Sequence, residues 1–203
     1  MCRSAVVKLG GSVVTVKDKP YTLDRGAIRR IAGILSSYVA GGGRLALVHG
    51  GGSFGHTAVR EVLARRGHMG VEDLPHIQLA MLKLSMAIVE ELYLAGVGVV
   101  LHPTHTLCGE SCSLAPVIRD YRLGLTPVVY GDAVDGGGGV RIISGDDLAL
   151  LLAESLRPDC TLYVTRVPGV LDPGGGVIPV LRSVEDFRPV DDVRDATGGM
   201  YRK

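Results

Sequence analysis

SAVVKLGGS, residues 4–12, is the stretch on which the fold turns. Its apolar, β-branched run from Ser4 to Leu9 reads as a short buried strand, and Gly10-Gly11 as a tight turn at the strand's end. Lys8 stands one residue before that end. The arrangement recurs at residues 44–56, RLALVHGGGSFGH, where an apolar strand from Arg44 to Val48 runs into His49-Gly50-Gly51-Gly52. Parallel α/β folds put their functional groups where a strand ends in a turn that leads to a helix.

Working outward, Asp24 is placed to N-cap a helix reaching about Val39, with apolar residues at Ile28, Ile31, Ile34 and Leu35. Gly41-Gly42-Gly43 stops it. Further helices are predicted over residues 57–66, 75–95, 115–121 and 146–156, and strands over 97–101, 126–130 and 161–165. Gly136 to Gly139 marks a hairpin tip between Ala133-Val134 and Val140–Ile143. Strands that are continuous apolar runs, alternating with helices, indicate a central, mainly parallel sheet covered on both faces, an α/β three-layer αβα sandwich. At 203 residues the chain suits a single domain.

Composition narrows the function. With 46% hydrophobic and 21% charged residues the chain reads as globular, and a net charge of +1 argues against a general nucleic-acid binder or a polybasic membrane-surface protein. No run has the length and apolarity of a membrane-spanning helix, and no basic segment followed by an apolar one marks secretion. The expected location is therefore cytoplasmic, with Cys2, Cys108, Cys112 and Cys160 as free thiols.

The glycine turns carry the chemistry. Glycines let backbone N–H groups close on phosphate oxygens, and a following helix N-terminus adds a favourable dipole. There is no G-x-x-x-x-G-K-[ST], which excludes a Walker-type phosphate loop, and no G-x-G-x-x-G at a first strand–helix turn to support a dinucleotide site. His49 reads as structural, and Asp147 as an acidic residue in a helix's first turn.

VKLGGSVVTVKDK (7–19), VHGGGSFGH (48–56), YGD (130–132), RIISGDDLA (141–149) and TGGMYRK (197–203) together resemble the amino-acid-kinase superfamily, and within it the isopentenyl phosphate kinases. The resemblance runs in order from Val6 to Lys203 and implies the amino-acid-kinase fold. It further implies ATP-dependent phosphorylation of a small phosphate monoester, isopentenyl phosphate first among them. Mg2+ would be bound largely through ATP and water, with no protein metal ligands. The implied partner is a small-molecule phosphate acceptor, and the implied assembly a homodimer. A kinase for another small phosphate or phosphonate, fosfomycin-like, and a catalytically weak phosphate-metabolite-binding module stay open as alternatives.

By the same resemblance, Lys8 is the lysine that neutralises the phosphoryl group in flight, and Gly10, Gly11 and Ser12 meet the ATP phosphates. Lys17 and Lys203 also reach those phosphates, and Thr165 and Gly169 fall in the ATP site. Gly50, Gly51, Gly52 and Gly145 cradle the acceptor phosphate, His56 hydrogen-bonds it, and Asp146 holds the lysines in position. Ile77, Met81, Ala133 and Ile142 line the prenyl pocket, with ordinary helix-to-sheet core as the competing reading of Ile77 and Met81. Residues 1–145 form the acceptor lobe and residues 146–203 a partial nucleotide lobe whose C-terminal end is expected to be missing.

Two features depart from the pattern. Arg166 and Pro168 replace the acids of the T-D-V-D-G-V that often follows this strand in kinases of the fold. His102, His105, Cys108 and Cys112 give H-x2-H-x2-C-x3-C, read as a loop with incidental Cys and His against the alternative of a zinc site.

Overall fold

Strand β1 (Ser4–Leu9) lies inside a five-stranded sheet, flanked by β2 (Arg44–His49) on one side and β7 (Cys160–Val164) on the other, in a computed structural model that describes residues 2–172 and 176–182. Beyond β2 come β4 (Thr126–Tyr130) and the edge strand β3 (Val99–Leu101), and every pairing is parallel. The registers Leu9↔His49, Leu9↔Val164 and His49↔Tyr130 bring four carboxyl ends to one level.

Two helical layers cover the sheet, and the period-two alternation of each strand decides what faces them. Ala5, Val7 and Leu9 of β1, with Leu45 and Leu47 of β2, pack against α2 (Arg25–Ala40) and α4 (Leu74–Leu94). Val6, Ala46 and Val48 face α6 (Ala115–Arg122) and α7 (Gly145–Leu156). Helix α2 leaves β1 on one face and α7 enters β7 on the other, so the carboxyl ends of the strands lie between the two layers, where open α/β sheets bind their ligands. The expected three-layer sandwich is present. The antiparallel hairpin of β5 (Asp132–Asp135) and β6 (Val140–Ile143) follows β4 directly, separate from the main sheet.

Local signals explain most boundaries. Asp24 caps α2 by accepting from the Ala27 N–H at 2.9 Å. Helix α3 (Gly52–Arg66) starts five residues before the expected 57, because Gly52, at φ +48°, turns the chain from strand to helix with no intervening loop. The one-turn helices α1 (Gly11–Val14) and α5 (Thr104–Leu107) are too short to show a period and were not expected from the sequence. Among the described residues, no helix is long and apolar enough to cross a membrane.

Cysteine pairing corrects the expectation of free thiols. Cys2 precedes β1 and Cys160 opens the neighbouring β7, and the two are joined with Cα atoms 5.9 Å apart. Cys108 and Cys112 are joined across a short antiparallel bridge. The first pair spans 158 residues and exists only because the sheet places β1 beside β7, which no local spacing reveals.

The closest approach in the site region is between the two glycine turns. A Cβ on Gly11 would fall 2.2 Å from the Gly52 nitrogen and 2.5 Å from its Cα, both backbone atoms that have no room to retreat. Gly11→Ala is therefore expected to cost about 3 kcal/mol or more. Gly33→Ala, on the exposed side of α2 with nothing within 4 Å of the new methyl, is expected to be neutral or to gain about 0.5–1 kcal/mol. Urea denaturation of both variants measures this, and a Gly11→Ala protein as stable as the parent would refute the backbone contact.

Candidate active site

The alternation that buries Val7 and Leu9 against α2 and α4 turns Lys8 to the α7 face. There Lys8 is 5% exposed, and its Nζ lies 2.9 Å from Asp146 Oδ1. Asp146 comes from the first turn of α7, which Ser144 caps: its Oγ accepts from the Asp147 N–H at 3.0 Å, and Asp147 Oδ2 accepts from the Ser144 N–H at 3.2 Å. The cap engages Asp147 and leaves Asp146 facing the lysine. A buried ion pair of this kind contributes little net stability, because desolvation offsets attraction, but it fixes where both charges point.

Alternation sends His49, at the end of β2, to the opposite face. It is fully buried and stacked on Tyr130 at 5.3 Å. Its Nδ1 donates to the Gly50 carbonyl at 3.1 Å, and its Nε2 lies 2.9 Å from the Ser85 hydroxyl of α4. Burial pushes its pKa down to about 4, against a smaller opposing effect of the Gly50 hydrogen bond. His49 is thus a neutral support beneath the second turn, in the structural role expected for it.

Backbone hydrogen bonds stitch the turns together. The Gly10 N–H donates to Val164 O at 2.9 Å, Gly50 N–H to Leu9 O at 3.0 Å and Gly131 N–H to His49 O at 3.0 Å. Gly145 closes the group, since a Cβ there would meet His49 O at 3.1 Å and Lys8 Cε at 3.5 Å. Lys8, Asp146, Gly10, Gly11, Gly50, Gly51, Gly52 and Gly145 therefore share one confluence of strand ends. Gly51 caps α3 with no side chain of its own, so the first turn of that 15-residue helix presents backbone to the crevice.

Thr15 ties the two turns and was not singled out in the sequence. Its Oγ1 donates to Gly11 O at 2.8 Å and accepts from the Ser53 N–H at 2.9 Å. The available signal was a single hydroxyl inside the run Val13-Val14-Thr15-Val16.

Other expected residues stand at the margins. Ser12 is half-buried in α1. Lys17, in the loop after α1, and His56, on α3, are exposed, with no hydrogen-bond or ion-pair partner among the described residues. Thr165 and Gly169 lie in the turn after β7, where Thr165 Oγ1 donates to Val167 O at 2.7 Å. Lys203 lies outside the described residues.

Of the four apolar residues assigned to an acceptor pocket, three are packed. Ile77 and Ala133 join Ala58, Val62 and Ala80 in a small cluster. Met81 lies under the second turn, its Sδ 3.2 Å from where a Cβ on Gly51 would be and 3.0 Å from one on Gly55. Ile142, opposite Ala133 across the hairpin, is 39% exposed.

The His/Cys spacing resolves into separate pairs. His102 Nε2 lies 3.1 Å from Asp120 Oδ2, and His105 Nδ1 lies 2.8 Å from Asp132 Oδ2. The Asp132 carboxyl is pushed up by burial, against the opposing pull of its His105 hydrogen bond. Among the described residues, no three of His, Cys, Asp or Glu are grouped as metal ligands.

Residues 3–203 match the amino acid kinase family. The isopentenyl phosphate kinase of Haloferax volcanii is 38% identical over 210 residues, covering 98% of this chain and 84% of the relative. That of Methanocaldococcus jannaschii is 30% identical over 218 residues, with coverages of 98% and 84%. Among solved structures, a T. acidophilum isopentenyl phosphate kinase product complex aligns with a TM-score of 0.73 at 30% identity, over 84% of this chain and 74% of the other. An isopentenyl phosphate kinase substrate complex aligns with a TM-score of 0.74 at 30% identity, over 85% and 74%.

The buried His49 makes stability depend on pH. Its folded pKa of about 4 lies below the ordinary 6.5, so between these values the unfolded chain binds a proton that the folded chain does not. The contribution is present in full above pH 6.5 and is lost as pH falls toward 4, by about 3 kcal/mol across the window. His49→Asn, which retains a donor for the Gly50 carbonyl, should flatten this dependence. Urea denaturation at pH 7.5 and 4.5 checks it, and an equal pH response in parent and variant would contradict it.

Proposed function

The chain belongs to the amino acid kinase family, and on that premise we propose that it transfers the γ-phosphoryl group of ATP to isopentenyl phosphate, forming isopentenyl diphosphate and ADP. The observation that carries this reading is the Lys8–Asp146 pair, at 2.9 Å, beneath two glycine turns packed backbone to backbone. The similarity to isopentenyl phosphate kinases over 98% of the chain supports the acceptor.

Phosphoryl transfer asks a protein mainly for positioning and for neutralisation of charge spread over the moving group. The acceptor is a phosphate monoester with a second pKa near 6, so it arrives largely as a dianion and needs no strong base. Its phosphate would rest on the Gly50–Gly52 turn at the N-terminus of α3, with His56 donating to it from the helix's second turn. The ATP phosphates would lie along Gly10, Gly11 and Ser12, with Lys17 approaching from the solvent side. Lys8 stands between the turns, and its ammonium would meet the group in flight while Asp146 keeps it aimed. Mg2+ would come bound to the nucleotide's phosphates and add to the neutralisation there.

In this reading residues 1–145 supply the acceptor side together with the Gly10–Ser12 turn and Lys17 that meet ATP, and α7 with β7 complete the nucleotide side. The prenyl chain would run toward Ile77, Met81 and the β5–β6 hairpin, which means parting side chains that are packed together here.

An ADP-release assay across isopentenyl phosphate, dimethylallyl phosphate, fosfomycin, UMP, acetylglutamate and carbamate tests the proposal. Isopentenyl phosphate should be the best acceptor, and a preference for any of the last four would overturn the assignment. His56→Ala should lower kcat on the best acceptor about 100-fold, through loss of a donor to the transition state, with its melting temperature unchanged because the side chain is exposed. A variant with normal kcat would remove His56 from the mechanism.

A further inference from the structure

Arg166 stands two residues beyond β7, and its guanidinium reaches the residues that follow the first glycine turn. Its Nη2 donates to the Thr15 carbonyl at 3.3 Å and lies 3.9 Å from Asp24 Oδ2, with the side chain about half exposed. Thr15 is the residue whose hydroxyl ties Gly11 to Ser53. It is also the root of a small hairpin, since Thr15 pairs with Leu23 and the Val16 N–H donates to Thr22 O at 2.9 Å. Lys17 sits on that hairpin.

The hairpin is fastened to α3 on one side. The Tyr21 N–H donates to Ser53 O at 3.3 Å, the Thr22 N–H donates to Ser53 Oγ at 3.3 Å, and Tyr21 Oη donates to Glu61 Oε2 at 2.5 Å. Arg166, from beyond the end of β7, contacts the root of the hairpin at Thr15. We propose that Arg166 is a positioning residue: it fastens the nucleotide-side root of the Lys17 hairpin to the end of β7, and so sets how Lys17 meets the phosphates. Its Nη2 donates to the Thr15 carbonyl and points toward Asp24, which aims the guanidinium at the hairpin root, so in this proposal it acts through the hairpin. Asp24 also caps α2, which makes Arg166 a brace between the strand end, the hairpin root and the start of that helix.

The inference rests on the phosphoryl-transfer reading of the site, and its test separates the two. Steady-state kinetics would compare the full chain with Arg166→Ala, Lys17→Ala, the double variant and Arg166→Lys. Arg166→Ala should lower kcat/KM for ATP about 10-fold with the acceptor KM unchanged, a scale suited to a misplaced charged group. In the Lys17→Ala background the same substitution should change it less than 2-fold, since the group it positions is gone. Arg166→Lys should recover part of the loss. An equal loss in both backgrounds would mean that Arg166 meets the nucleotide directly, and no loss, or a loss confined to the acceptor KM, would likewise overturn the proposal. Amide hydrogen exchange over residues 16–22, read without substrate, should be faster in Arg166→Ala. If the parent phosphorylates no acceptor, the kinase reading fails, while unchanged exchange in the variant would still overturn the brace.

Discussion

Everything at the site depends on two backbones touching where side chains would normally keep them apart. Gly11 and Gly52 approach so closely that a single methyl on either has no place, Gly52 being further constrained by its positive φ. That contact lets the turns after β1 and β2 share one crevice instead of opening separately to solvent. Parallel pairing supplies the level, because Leu9, His49 and Val164 end together. Thr15 supplies the lock, since one hydroxyl satisfies a carbonyl of the first turn and an amide at the start of α3.

From that confluence the polarity of the site follows by alternation alone. Odd-numbered positions of β1 and β2 go to the α2/α4 face, so His49 becomes a buried neutral prop whose proton is held on the Gly50 side. Even-numbered positions go to the α7 face, so Lys8 meets the first turn of α7. The capping box of Ser144 and Asp147 divides labour between adjacent acids, one completing the helix end and the other orienting the lysine. A cation, a helix N-terminus and glycine backbone thus converge at the strand ends, while His56 and Lys17 are exposed.

Much of this was legible in the sequence, because strand, turn and helix signals are local. SAVVKLGGS and RLALVHGGGSFGH identify two of the five sheet strands and both glycine turns, and Asp24 announces its helix. What was not legible depends on the topology. The Cys2–Cys160 link follows from β1 lying beside β7, the role of Thr15 from the approach of two turns 40 residues apart in sequence, and the reach of Arg166 from the strand order. The histidines and cysteines of residues 102–112 look like one constellation in the sequence and separate in space, because β3, α5 and the following bridge point them at different partners.

We propose that the Lys8 ammonium, aimed by Asp146, acts on the phosphoryl group during transfer and does more than hold the fold together. Single-turnover phosphorylation by Asp146→Asn, with ATP and acceptor affinities measured separately by calorimetry, tests it most directly. The expected rate is lower by about 100-fold, with both affinities changed less than about 3-fold, because the lost interaction matters most in the transition state. A normal rate, or a loss that resides wholly in ATP affinity, would contradict it.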